Sequence, residues 1–348
     1  ASTVTTDAAG NTTTTDSGGF DLDTAPAVVT STAVGDANKS TADATAPAGV
    51  LTINSETGST SVVTFTGPSG TVTKTIANDG TDRPVVLTAA DLATLGDGTV
   101  TASTVTTDAA GNTTTTDSGS FNLDTAAPVV TSTPLGDANK STADATDAGG
   151  VLTINSETGS TSVVTFTGPS GTVTKTIAND GTDRPVVLTA ADLATLGDGT
   201  VTASTVTTDA AGNTTTTDSG SFNLDTAAPV VTSTPLGDAN KSTADATDAG
   251  GVLTINSETG STSVVTFTGA NGATVTKTIV NDGTDKPVVL TAADLATLGD
   301  GAVTASTVTT DAAGNTTTTD SGSFTLDTLP PVAPVSTTPA ATNDTTPT

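Results

Sequence analysis

Along residues 126–226 apolar side chains fall at alternate positions in short bursts, and turn-forming clusters separate the bursts. Leu152 and Ile154 alternate with polar neighbours over 151–156, and Val164 and Phe166 do the same over 162–167, the period of a strand with one buried face. Residues 129–133 predict a strand before them. Another is predicted over 172–178, where Lys175 lies between Val173 and Ile177, an arrangement that suits an exposed sheet edge guarded by a charge. Residues 186–189 predict a fifth strand and 190–196 a helical turn. Gly197-Asp198-Gly199 then leads into a sixth strand over 200–208. Val201 and Ala203 share a face there and Val206 does not, which predicts either a bulge or an exposed valine. A seventh strand ends with Phe222 and Leu224 in phase.

This pattern recurs. The string ASTVTTDAAGNTTTTDSG begins at Ala1, Ala102, Ala203 and Ala305, a spacing far longer than the 20–50 residues of a solenoid unit, so each copy can own a core. Seven short strands in about 100 residues, with no long helical period, predict an all-β fold. The expected architecture is a row of tandem immunoglobulin-like seven-stranded β-sandwiches arranged end to end. Boundaries are expected at the LDT strings, giving repeats over 25–125, 126–226 and 227–328 after the C-terminal part of a preceding repeat over 1–24. Residues 329–348 leave the pattern and predict the start of a different module. Two differences between copies are informative. GPSG at 168–171 becomes the longer GANGA at 269–273, which marks a loop tip. Ala46 and Pro47 stand where the next copy has Asp147 and Ala148, so that aspartate is dispensable.

Composition narrows the chemistry. The chain has no Cys, His, Trp, Tyr or Met, so it offers no imidazole base, no thiolate and no soft or nitrogen ligand for a metal. Oxygen chemistry remains. With 37 Asp plus Glu against 9 Lys plus Arg and a formal charge of −28, nucleic acid is excluded as a partner. No run of 18 apolar residues predicts a membrane helix, and no direct membrane insertion is expected. With no Met in the chain, the initiator and any secretion signal are expected to lie outside this stretch or to have been removed. A serine nucleophile has no His- or Lys-based activation motif, so catalysis is not expected. The Asn-Thr-Thr sequons are a pattern that arises readily by chance in a Thr-rich chain, and the Thr runs suit an exposed strand face better than an ice-binding row.

The order LxxLxDGxxTxxxxxTDAAGN followed by LDTxxP, found at 193–213 and then 224–229 with one residue extra, resembles the bacterial Ig-like extender repeats of giant adhesins secreted by the type I, repeats-in-toxin route. The resemblance runs through all three complete repeats. The stretch GDANKSTADATDAGG is similar to the GDNxINxxEA segment of that family: Asp137 matches its Asp, and its Glu is replaced by Asp or missing. The resemblance implies an extracellular, monomeric stalk on a bacterial cell surface, often stiffened by calcium, that projects a distal binding domain.

The placement of the turns points to calcium independently. In this topology alternate connections share a pole with the N-terminus and the others share a pole with the C-terminus, so the turns of successive repeats meet. The candidate ligands are Asp23, Asp124, Asp225 and Asp327 from the linkers. The TDAAGN turns supply Asp7, Asp108, Asp209 and Asp311, with Asn112, Asn213 and Asn315. The LGDG turns supply Asp97, Asp198 and Asp300, and the GDAN segments Asp36, Asp137 and Asp238. Asp144, Glu258, Asp282 and Asp285 are expected nearby. That many carboxylates at one junction repel unless neutralised, and Ca2+ takes six to eight such oxygens at flexible angles. The competing reading is that Asp and Gly there are turn formers and solubilising charges. Two function classes follow: a structural extender whose partners are calcium and neighbouring repeats, or a ligand-binding adhesive module for a glycan, a host surface or ice.

Overall fold

A computed structural model describes residues 1–16, 18–32, 37–133, 138–235 and 239–336. In the middle repeat the alternating segments form β1 (Val130–Thr133), β2 (Asn139–Lys140), β3 (Leu152–Ser156), β4 (Thr161–Thr167), β5 (Thr172–Ala178), β6 (Arg184–Val186), β7 (Gly199–Thr208) and β8 (Thr214–Leu224). Two short helices, α1 (Thr142–Ala145) and α2 (Ala190–Leu196), complete it. The strands make a three-stranded sheet, β1-β3-β6, and a five-stranded sheet, β2-β8-β7-β4-β5. The inward phase of each sheet closes a core around Ile154, Val164, Phe166, Val186, Leu196 and Val201, each fully buried.

β5 is an edge strand, paired only to β4. Lys175 on it does more than guard the edge, because its Nζ pairs with Asp192 in the first turn of α2. Asp192 also receives the backbone N–H and hydroxyl of Thr189, closing a capping box. That box explains one difference from expectation: the strand predicted over 186–189 instead ends at Val186, since Thr189 is committed to starting a helix. The predicted ambiguity at Val206 resolves both ways. Val206 is 40% exposed, and the β7–β8 register slips at Ser219, where Gly220 takes φ 89°, a conformation that favours glycine. The two-residue β2 is an addition to the seven expected strands. It pairs in parallel with the end of β8, Asn139 opposite Asn223 and Lys140 opposite Leu224.

The core is apolar at one end and hydroxylated at the other. Near the TDAAGN turn, Ser162, Thr205 and Thr207 are fully buried; Thr207 pairs with Ser162 at 2.7 Å and Thr205 with Ser219 at 2.8 Å.

The flanking sandwiches repeat both sheet orders. The longer GANGA loop closes a turn in which Gly269 N–H donates to the Ala273 carbonyl. In the shorter version a Cβ on Gly168 would stand 2.4 Å from the Leu196 carbonyl oxygen, so that position requires glycine. Asp147 accepts a bond from Gly149 N–H, a turn contact that the Ala46 copy does without. At the start of the chain Ser2–Thr6 and Thr12–Asp16 form a hairpin. Phe20 and Leu22 beyond it are exposed, whereas their counterparts Phe121 and Leu123 are core residues. Residues 329–336 form no strand, and 337–348 lie outside the described residues.

Candidate functional site

The linker between the second and third sandwiches is held from both sides. The Asp225 N–H donates to the Lys140 carbonyl at 3.0 Å, and the N–H and hydroxyl of Thr226 both donate to Asp198 Oδ1 at 2.9 and 2.8 Å. These contacts bind the linker to the sandwich behind it. On the other side the Asp225 carbonyl accepts Asn315 Nδ2 of the third sandwich at 2.8 Å. The first linker repeats this: Asp124 N–H donates to Lys39, Thr125 to Asp97, and the Asp124 carbonyl accepts Asn213 Nδ2 at 2.9 Å. Asn112 makes the same contact to the Asp23 carbonyl at 3.1 Å. Beyond the third sandwich, Asp300 accepts from Thr328, and Asp327 Oδ1 accepts the Leu329 N–H.

The TDAAGN turn that carries Asn315 is built around its aspartate. Asp311 Oδ1 accepts the N–H groups of Ala313 and Asn315, and Oδ2 accepts Asn315 Nδ2, all at 2.9 Å. Side-chain capping of this kind is why Asp and Asn occupy such turns. Asp7 with Asn11, Asp108 with Asn112 and Asp209 with Asn213 repeat the arrangement. Hydrogen bonds from Asn11 hold the Asp7 carboxyl below its ordinary value, and those from Asn112 do so for Asp108.

The turn tip presses on the sandwich behind it. Ala211 and Ala313 are buried, whereas the equivalent Ala110 is exposed. At the second junction Ala138, Asn139 and Asp144 face residues 311–314 across a cleft of about 470 Å³. A Cβ on Gly314 would come within 4.0 Å of Asp144 Oδ2. Asp144 also closes the capping box of α1 with Ser141, whose hydrogen bonds hold its carboxyl low.

The structure brings Asp225, Asp311 and Asn315 together and adds Glu258 to them. Partial desolvation, followed by the charges of Asp311 and Asp225, raises the Glu258 carboxyl above its ordinary value, although the side chain as a whole is exposed. Asp97, Asp198 and Asp300 do not reach across the junction, because they are turned onto the linker threonines. Asp282 is pulled down to about 2 by hydrogen bonds from Lys286 and Thr284, and Asp285 accepts from Asn256; both serve their own loop. Among the described residues, no three acidic side chains stand as a ready-made metal-binding group. Asp36, Asp137 and Asp238 lie outside the described residues. Sequence reasoning placed Glu258 near the junction but not among the ligands. The signal was its turn, SETG, which shares the pole of TDAAGN.

No family model matches the chain, and no curated protein matches it. Among solved structures, the chain is similar to a tetra-tandem repeat from the extending region of a large adhesion protein, with 24% identity, 94% of this chain and 80% of the other covered, and a TM-score of 0.36. It is also similar to a structure concerned with host cell-surface retention of a 1.5-MDa bacterial ice-binding adhesin, with 25% identity, 88% and 100% covered, and a TM-score of 0.32. Among the described residues no helix is long and apolar enough to cross a membrane.

Proposed function

We propose that this chain is a structural extender segment of a bacterial cell-surface adhesin, with junctions between successive sandwiches that are stiffened by calcium. The carrying observation is the linker aspartate. Asp225 gives its N–H to the sandwich behind and its carbonyl to the sandwich ahead, so one residue is fixed to both bodies and little hinge remains. A spacer needs that. It needs no reactive group.

The oxygen donors at the junction suit Ca2+. Asp225 and Asp311 would offer carboxylates, Glu258 a third that feels their charge, and the Asp225 carbonyl a main-chain donor; Asn315, whose Nδ2 faces these groups, would have to turn its amide to offer an oxygen. The Asp311 Oδ2 and the Asp225 carbonyl already converge on one hydrogen-bond donor, the Nδ2 of Asn315. Mixed carboxylate, amide and carbonyl donors are the set calcium takes, and extracellular modules typically bind it at about 0.1–1 mM. At the first junction the equivalent set is Asp124, Asp209, Asn213 and Glu157. When bound, the ion would supply the charge that keeps these carboxylates from repelling.

Small-angle scattering in calcium and in chelator tests both parts. A rod in calcium that becomes more flexible on chelation supports the reading. A compact particle in calcium defeats the extender, and a rod indifferent to chelation defeats the ion.

A further inference from the structure

We propose that Asn281 is a positioning residue for the second junction: through buried hydroxyls it braces the turn that carries Glu258 against the strand that carries Asp311. Asn78 and Asn179 play the same part in their own repeats. The role given to Glu258 rests on the calcium reading, whereas the brace is a property of the protein alone.

Asn281 follows the edge strand Thr274–Val280 and is 1% exposed. Its carbonyl accepts the Gly260 N–H at 3.1 Å, and its N–H donates to the Ser261 carbonyl at 2.9 Å. Its Nδ2 donates to both Ser261 Oγ, at 3.0 Å, and Ser263 Oγ, at 2.9 Å. Each serine leads to one side of the junction. Ser261 Oγ donates to the Glu258 carbonyl at 2.8 Å, fixing the turn. Ser263 Oγ shares a 2.7 Å bond with Thr309 Oγ1, and Thr309 precedes Asp311 by two residues. A continuous path of hydrogen bonds therefore runs from the Glu258 main chain to the strand end that leads into Asp311.

The amide is an expensive choice for this position. Its Oδ1 is buried without a partner, as are those of Asn78 and Asn179, and an unmade bond to a buried acceptor is destabilising. An apolar side chain of similar shape would avoid that penalty. What it would lack is the pair of donors joining the two serines. Groups that orient ligands without touching the metal commonly change its affinity about 10–100-fold when lost.

The test uses the whole chain with Asn281→Leu, and Thr309→Val as a gentler cut in the same path should the first variant fail to fold. In chelator, 15N relaxation should show Thr259 and Gly260 becoming more mobile, while amide exchange in the strand Thr262–Thr268 stays slow. In calcium, titration calorimetry should show one junction weakened about 10–100-fold and the other unchanged. Asn179→Leu should weaken the other junction instead. Loosening of the turn in a chain that binds no calcium would sustain the brace and defeat the calcium reading. Normal calcium affinity with an unmoved turn in Asn281→Leu, or normal calcium affinity in Thr309→Val, would overturn the brace and leave the calcium reading standing. An unmoved turn in a chain that binds no calcium would defeat both.

Discussion

Replacing Glu258 with Gln should change stability in opposite directions with and without calcium. Among the described residues the Glu258 carboxylate accepts no hydrogen bond, and its burden is partial desolvation first and then the charge of Asp311 and Asp225. Without calcium, the substitution relieves repulsion on the scale of exposed charge pairs, about 0.2–1 kcal/mol. At roughly 4–8 °C per kcal/mol for a domain of this size, the third sandwich should melt a few degrees higher. With calcium at a hundred times its dissociation constant, the ion contributes about 2.7 kcal/mol. If one lost carboxylate weakens binding tenfold, about 1.4 kcal/mol remains, and this loss, set against the gain in the calcium-free protein, leaves the same substitution destabilising by about 0.3–1.1 kcal/mol. Calorimetry of the whole chain in chelator and in calcium, both at low salt, reads the two signs directly. Adding salt to 1 M contracts the screening length to about 3 Å, so it should shrink the gain in chelator by its charge–charge part without reproducing the effect of calcium. A shift of the same sign in both buffers would refute the reasoning.

In calcium-free protein the raised Glu258 carboxyl adds a pH dependence of its own. Its contribution is fully present below the ordinary value of 4.5 and is lost as pH rises through the higher folded value, so Glu258→Gln should flatten the stability profile there. Phe166→Ala, at a fully buried position, should cost about 3–5 kcal/mol and separate the melting of the middle sandwich from that of its neighbours. Lys286→Met should move Asp282 from about 2 towards 3.8 in a carboxyl NMR titration. Asn213→Ala removes the bond to the Asp124 carbonyl and should uncouple the alignment of the first two sandwiches, measured by residual dipolar couplings.

The half-buried strands were legible because a period of two is visible wherever one face meets the core, as in Leu152–Ser156. The short parallel pairing of Asn139 and Lys140 was not, since two residues carry no period. The end of the strand at Val186 could have been read from Thr189 and Asp192, whose spacing is that of a capping box. Linker and TDAAGN turn were brought together by topology alone, but the orientation of Asp198 towards Thr226 depends on a local turn that charge counting does not resolve. The buried hydroxyls were hidden by composition. The phase that puts Val201 and Ala203 inside also puts Thr205 and Thr207 there, yet threonine is the ordinary residue of a solvated strand face.

The parallel pairing at the end of β8 has a mechanical meaning. A pull along the row draws β8 from its C-terminal end and β2 from its N-terminal end, so the two strands are loaded in opposite directions along one axis. The bonds between them, from Asn223 N–H to Ala138 at 2.6 Å and from Asp225 N–H to Lys140 at 3.0 Å, join the strands sideways, slanted as in any parallel pair. Loading of that kind is expected to shear them together. Tension at the C-terminal end of a sandwich thus meets these bonds where the load passes to the next, and weakening them is expected to raise the rate of forced unfolding.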